Sequence, residues 1–103
     1  MRVISKKRLI EYWAKHPDTE QPIKAWYDEA VAANWQTPQD IKNQYRSASI
    51  VGDNRVVFNI RGNGHRLIVA VAYRFGAIYI KFVGTHAEYD KIDATTVEME
   101  DTK

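Results

Sequence analysis

The chain has 103 residues, 45% of them hydrophobic and 12% aromatic, which is the composition of a globular protein rather than a disordered one. A chain of this length has room for a single core and should bury about 65% of the surface that it exposes when unfolded. With no cysteine it can form neither a disulfide framework nor a thiolate metal site, and a reducing cytoplasm is the simplest expected location. The start, Met1 to Lys7, shows no apolar leader core, and no stretch is long and apolar enough to span a bilayer, so no membrane association is expected.

Ser5 stands where it could cap a first helix, with Ile4 and Leu9 placed as a hydrophobic staple. Leu9, Ile10, Trp13 and Ala14 then form one apolar face, and Pro17 ends the helix. Asp18 and Gln21 have capping-box spacing ahead of Ile23, Trp26, Tyr27, Ala30 and Val31, the recurrence of an amphipathic helix. Thr37-Pro38-Gln39-Asp40 supplies a cap, a first-turn proline and an acid before a third, short helix carrying Ile41 and Tyr45 on one face.

After Ser49 the apolar period falls from 3.6 to 2, and β-branched residues take over. Strands are expected at 50–51, 55–60, 66–73 and 77–83, joined by the turns Gly52-Asp53-Asn54, Gly62-Asn63-Gly64 and Gly76. Val56, Phe58 and Ile60 alternate with Arg55, Val57 and Asn59, and Ile78, Ile80 and Phe82 alternate with Tyr79 and Lys81. The expected fold is α+β, with the N-terminal helices packed on an antiparallel sheet whose other face carries Asn59, Arg66 and Lys81. Thr85 and Glu88 repeat the capping-box spacing and predict a short helix at 86–91, while residues 94–103 lack an apolar period and are expected to fray as an acidic tail of the one domain.

Net charge is only +2, but its distribution is uneven. From Arg46 to Lys81 six basic residues face one acid, whereas from Phe82 onward six acids face two lysines. A polyanion binder needs a local basic surface, because phosphate contacts are short-ranged at physiological salt. The middle of the chain could provide one.

Arg66, Lys81, His86 and Tyr89 form the expected catalytic group, with Asn59, Arg55, Arg61 and Asn63 as RNA-binding neighbours. His86 and Tyr89 share a helix face directly after the strand bearing Lys81, and Arg66 lies on the adjoining strand. RNA carries its own nucleophile in the 2′-hydroxyl, so cleavage needs proton transfer and stabilised phosphorane charge. Histidine titrates near neutrality and suits the first task, and arginine's planar fork suits phosphate oxygens. His86 is therefore assigned proton transfer, Arg66 and Lys81 the phosphate charge, and Tyr89 base stacking or a hydrogen bond.

Each of these residues also has an ordinary structural reading: a solvated histidine, a packed tyrosine, surface ion pairs. His16, His65 and His86 lack the paired spacing of a zinc site, and Glu88 and Asp90 have no further acid on the strands to help hold magnesium, so no metal and no cofactor are expected. Gly62-Asn63-Gly64 lacks the lysine and hydroxyl residue of a phosphate-binding loop and is expected to be a hairpin turn.

The stretches Arg55-Val56-Val57-Phe58-Asn59-Ile60, Gly62-Asn63, Arg66-Leu67-Ile68-Val69 and Phe82 to Asp90 together resemble the HigB toxin family, as do Trp26-Tyr27 and Thr37 to Lys42. The resemblance spans nearly the whole chain except its acidic tail. It implies a RelE-like fold, a ribosome-dependent endoribonuclease acting on mRNA during translation, and a HigA-like antitoxin with a helix-turn-helix domain, through which alone the toxin would meet operator DNA. Two alternatives stay open: a noncatalytic module that binds RNA or the ribosome through the same basic sheet, and a gyrase poison such as occurs in the wider fold.

Overall fold

The computed structural model describes residues 1–62 and 64–99. In chain order the elements are β1 (Arg2–Ile4), α1 (Lys6–Lys15), a 3-10 turn (Pro17–Thr19), α2 (Glu20–Ala32), α3 (Pro38–Gln44), β2 (Ser49–Val51), β3 (Arg55–Ile60), β4 (His65–Ala72), a second 3-10 turn (Tyr73–Phe75), β5 (Ala77–Thr85) and α4 (His86–Tyr89). The strands form one sheet in the order β1-β5-β4-β3-β2. The α+β class is as expected, but the sheet is mixed, because β1 pairs in parallel with β5 while the other strands are antiparallel. Three residues are too few to show alternation, so β1 left no periodic signal.

Helices α1 and α2 cover one sheet face. Leu9, Ile23, Trp26 and Ala30 meet Val56, Phe58, Leu67, Val69, Ile78 and Ile80 in the main core. On α1 the buried face is Leu9 and Tyr12, while Ile10 remains 43% exposed, so the stripe is rotated from the one expected. The reason is polar: the Tyr12 hydroxyl finds a partner inside, the ring of His65, at 2.6 Å. Capping was legible only in part. Thr37 with Asp40 and Thr85 with Glu88 close complete capping boxes. Ser5 sits at the α1 cap position with a left-handed φ of 77° and makes no side-chain cap bond. Asp18 belongs to the 3-10 turn ahead of α2 and turns to Arg61 instead.

The opposite face is the principal departure from expectation. In the β4–β5 ladder Ile68 pairs with Phe82 and Val69 with Ile80, so Lys81 is one additional residue in β5. Such a bulge reverses the alternation beyond it. Ile78 and Ile80 therefore point into the main core, whereas Phe82 joins Val57 and Ile68 in a second apolar cluster on the other face. Tyr89, Ile92, Ala94, Val97 and Met99 pack on that cluster. The fraying expected from residue 94 is thus overturned for residues 94–99, which cover apolar surface bared by the bulge; residues 100–103 lie outside the described residues.

Candidate functional site

Antiparallel pairing sets Asn59 on β3, Arg66 on β4 and Gly84 on β5 side by side on the face away from the helices. From the end of β5 the Thr85–Glu88 capping box turns the chain sharply into α4. That turn brings Tyr89 back under Arg66, whose guanidinium carbon lies 5.5 Å from the centre of the tyrosine ring. Glycine at position 84 leaves the strand between them without a side chain; a Cβ there would stand 2.5 Å from the Phe82 ring. The Arg66 Nη1 group also donates to the carbonyl oxygen of His65 at 3.3 Å, which steadies the guanidinium at the strand's root.

His86 opens α4 and its ring is exposed. Its backbone N–H donates to the Gly64 carbonyl at 3.0 Å, tying α4 to the β3–β4 hairpin, and its Nε2 lies 3.4 Å from an Asp90 carboxylate oxygen. Arg66, Tyr89 and His86, with Asn59 beside them, therefore gather at one end of the face. The Glu88 carboxyl is held below its ordinary value, first by the Thr85 backbone N–H that it accepts, so the cap stays ionised.

The remaining expected residues are placed differently. Lys81 sits three residues before Gly84, about 10 Å along the strand, and its ammonium group binds Glu98 at 2.9 Å. Arg55 was expected to meet RNA, but it is only 6% exposed. Its guanidinium is taken up by the carbonyls of Ala94 and Val97 and by the Glu98 carboxylate, because a buried cation must be fully bonded. Arg61 is exposed in the β3–β4 turn and faces Asp18 at 3.4 Å. Asn59 donates to the Ser47 carbonyl at 3.5 Å, and Asn63 lies outside the described residues.

A polar cluster on the helix side went unread in the sequence. His65 is 8% exposed, bonds the Tyr12 hydroxyl, and lies 3.7 Å from an Asp18 carboxylate oxygen. The His16 ring stacks on Tyr12 with centroids 4.3 Å apart. Burial above all pushes the Tyr12 hydroxyl up to about 12. The signal was there, since His65 falls in the two-residue phase of Leu67, Val69 and Val71, which face the core. Among the described residues no group of three histidine, aspartate or glutamate side chains is placed to hold a metal ion.

Residues 19–92 match the family of HigB toxins, described as the RelE-like toxic component of a toxin-antitoxin system. The chain belongs to the HigB toxin family. Curated relatives agree with this HigB membership along most of the chain. The chain is 28% identical over 92 residues to the mRNA interferase toxin HigB of Escherichia coli K12, covering 87% of this chain and 88% of the relative. The same identity and coverage hold for the mRNA interferase HigB of Shigella flexneri. The mRNA interferase HigB of Escherichia coli O6:H1 is 23% identical over 94 residues, covering 89% of this chain and 91% of its own. As a HigB toxin the chain is one half of a toxin-antitoxin pair, so an antitoxin is its partner.

Proposed function

We propose that this HigB-family toxin is an endoribonuclease that cleaves mRNA during translation, without a metal, from the sheet face opposite the helices. The observation that carries the reading is the position of the Arg66 guanidinium over the ring of Tyr89, on the same short helix as the exposed His86. A guanidinium held over the face of an aromatic ring is favoured there by the ring's negative face, and its planar edge matches two oxygens of a phosphate. The relatives named as mRNA interferases support the same chemistry.

In the reaction the 2′-oxygen of the RNA forms a bond to the adjacent phosphorus while the bond from phosphorus to the 5′-oxygen breaks. One proton leaves the 2′-hydroxyl and one reaches the departing 5′-oxygen, leaving a 2′,3′-cyclic phosphate. His86 serves one of these transfers, with Asp90 orienting its ring. Arg66 and Lys81 stabilise charge that grows on the phosphorane oxygens, for which phosphate displaces Glu98 from Lys81. Tyr89 supports Arg66 from below and offers its edge to a base. A HigA-like helix-turn-helix antitoxin would neutralise the toxin, and the complex would reach operator DNA through the antitoxin.

Primer extension on a reporter mRNA in a reconstituted translation system tests this reading. New 5′ termini should appear with the purified protein, require ribosomes, and vanish with His86→Ala. Intact mRNA in a system whose translation has stopped would replace cleavage by binding alone.

A further inference from the structure

A cleft opens where α2, the 45–47 turn and the end of β3 meet, with a volume of about 100 Å³. Its floor is aromatic. Trp26 stands edge-to-face on Phe58 at 5.4 Å, and Tyr45 meets the same ring at 5.1 Å. Its rim is polar, with Asn59, Arg61 and Glu29 among the lining residues. Glu29 accepts a hydrogen bond from the Tyr45 hydroxyl at 2.6 Å, which fixes the carboxylate at the mouth.

Two features mark this cleft as a receptor rather than a packing defect. Trp26 is 2% exposed, yet its indole N–H has no hydrogen-bond partner among the described residues. Buried donors are nearly always satisfied, and this one belongs to a side chain that lines the cleft. Asn59 is shared with the face described above, since its Cα partner across the ladder is Arg66. Paired Cα atoms in an antiparallel ladder lie roughly 5 Å apart. The cleft and the face that carries Arg66 therefore meet at Asn59.

We propose that the cleft receives a single unstacked base of the RNA substrate and so sets the toxin's sequence preference; the inference rests on the RNA-cleaving reading above. A base offers flat faces to Tyr45 and acceptors to the Trp26 N–H and the Asn59 amide. Its amino group, where it has one, meets Glu29. Arg61 at the rim faces the backbone phosphate. Glu29 disfavours a free phosphate in the cleft itself, leaving the uncharged base as the group that fits. Single-stranded RNA is commonly read in this way, by aromatic stacking combined with hydrogen bonds to base edges.

The test uses the indole N–H signals of the chain's three tryptophans, Trp13, Trp26 and Trp35, in nitrogen-15 labelled protein. The probes are the four nucleoside 5′-monophosphates and 2′-O-methylated RNA tetranucleotides, which cannot be cut. The Trp26 signal should move on titration, most strongly with one base, while that of Trp13 stays in place. Ala25 is an exposed lining residue on α2, so Ala25→Leu fills the cleft without disturbing the helix. It should weaken binding on the order of tenfold, by loss of one stacked base, and flatten the base preference at the cut site. Glu29→Gln, which keeps volume and the tyrosine bond, should change which base is preferred. A toxin that cuts RNA with an unmoved Trp26 signal and an unaltered cut-site preference in Ala25→Leu overturns the inference and leaves the function standing. A protein that binds mononucleotides at Trp26 but never cuts RNA overturns the function and leaves the cleft a nucleotide site.

Discussion

The Glu98 carboxylate is shared by Lys81 and Arg55, at 2.9 and 2.7 Å. One of these cations is a proposed phosphate ligand, and the other is a buried strut of the tail. Removing the charge with Glu98→Gln should therefore have two separable effects. Stability should fall only slightly, by about 0–1 kcal/mol, because the carboxylate is exposed and screened and glutamine keeps an acceptor for the buried Arg55 guanidinium. Affinity for RNA should rise, since phosphate no longer competes with the carboxylate for Lys81. Urea denaturation and a salt-dependent RNA-binding titration check the two parts.

Arg55 behaves oppositely. Arg55→Ala removes the donors that hold the Ala94 and Val97 carbonyls and opens the cover over Val57, Ile68 and Phe82. A loss of about 2–4 kcal/mol is expected from the unpaired carbonyls and the lost stem packing, measured by urea denaturation. Cleavage by the folded fraction should continue, which separates this strut from the catalytic group.

Arg66→Ala should abolish cleavage by about 10²–10³-fold while the far-UV dichroism spectrum stays native, the loss typical of one oriented charge-stabilising donor. Arg66→Lys should recover little, because an ammonium group lacks the planar fork that spans two phosphate oxygens. Single-turnover assays on an RNA substrate in the reconstituted system measure both.

Gly84→Ala should lower stability by about 1–3 kcal/mol through overpacking against the Phe82 ring. Thermal unfolding reads the effect. Gly84→Ala combined with Phe82→Leu should regain part of it, because the substitution removes the obstructing ring atoms.

Acid should loosen the C-terminal elements before the core. The Glu88 and Glu98 carboxyls both lie below the ordinary 4.5, the first through the Thr85 backbone N–H and the second through the Lys81 hydrogen bond. A depressed carboxyl stabilises the fold fully above its unfolded value, and that contribution disappears as pH falls through the native value. Between pH 4.5 and those lower native values the α4 cap and the tail contact should weaken, seen as loss of the Met99 and Tyr89 contacts in nuclear magnetic resonance while core signals persist.

Much of this architecture was legible because local signals and tertiary demands agree. The α2 stripe, the Thr37 cap, the Thr85–Glu88 capping box and the alternation in β3 each point to the element found, whereas the Asp18–Gln21 spacing does not form a box. The bulge at Lys81 was not legible, since one additional residue in a strand leaves composition and period almost intact while exchanging the faces beyond it. The tail was misread for a related reason: Ala94, Val97 and Met99 have no helical or strand period, yet they fit a surface that exists only because Phe82 is turned outward. At the site, the His86–Tyr89 spacing placed both residues on α4, and pairing put Arg66 beside them. The commitment of Arg55 to the tail depends on contacts 39 to 43 residues away, which spacing does not encode.

The parallel pairing of β1 with β5 carries a consequence for timing. Arg2 finds its partner only at Ala77, with both large helices and three strands between them. At 5–20 residues per second, a nascent chain waits roughly 4 to 15 s between making the first strand and making the edge that receives it. The helices emerge before the sheet they cover, and α4 follows the last strand. The face proposed to meet RNA therefore needs β5 and α4, the last of these elements to be made, so a nascent chain that stops short of them carries helices α1 to α3 without a completed face.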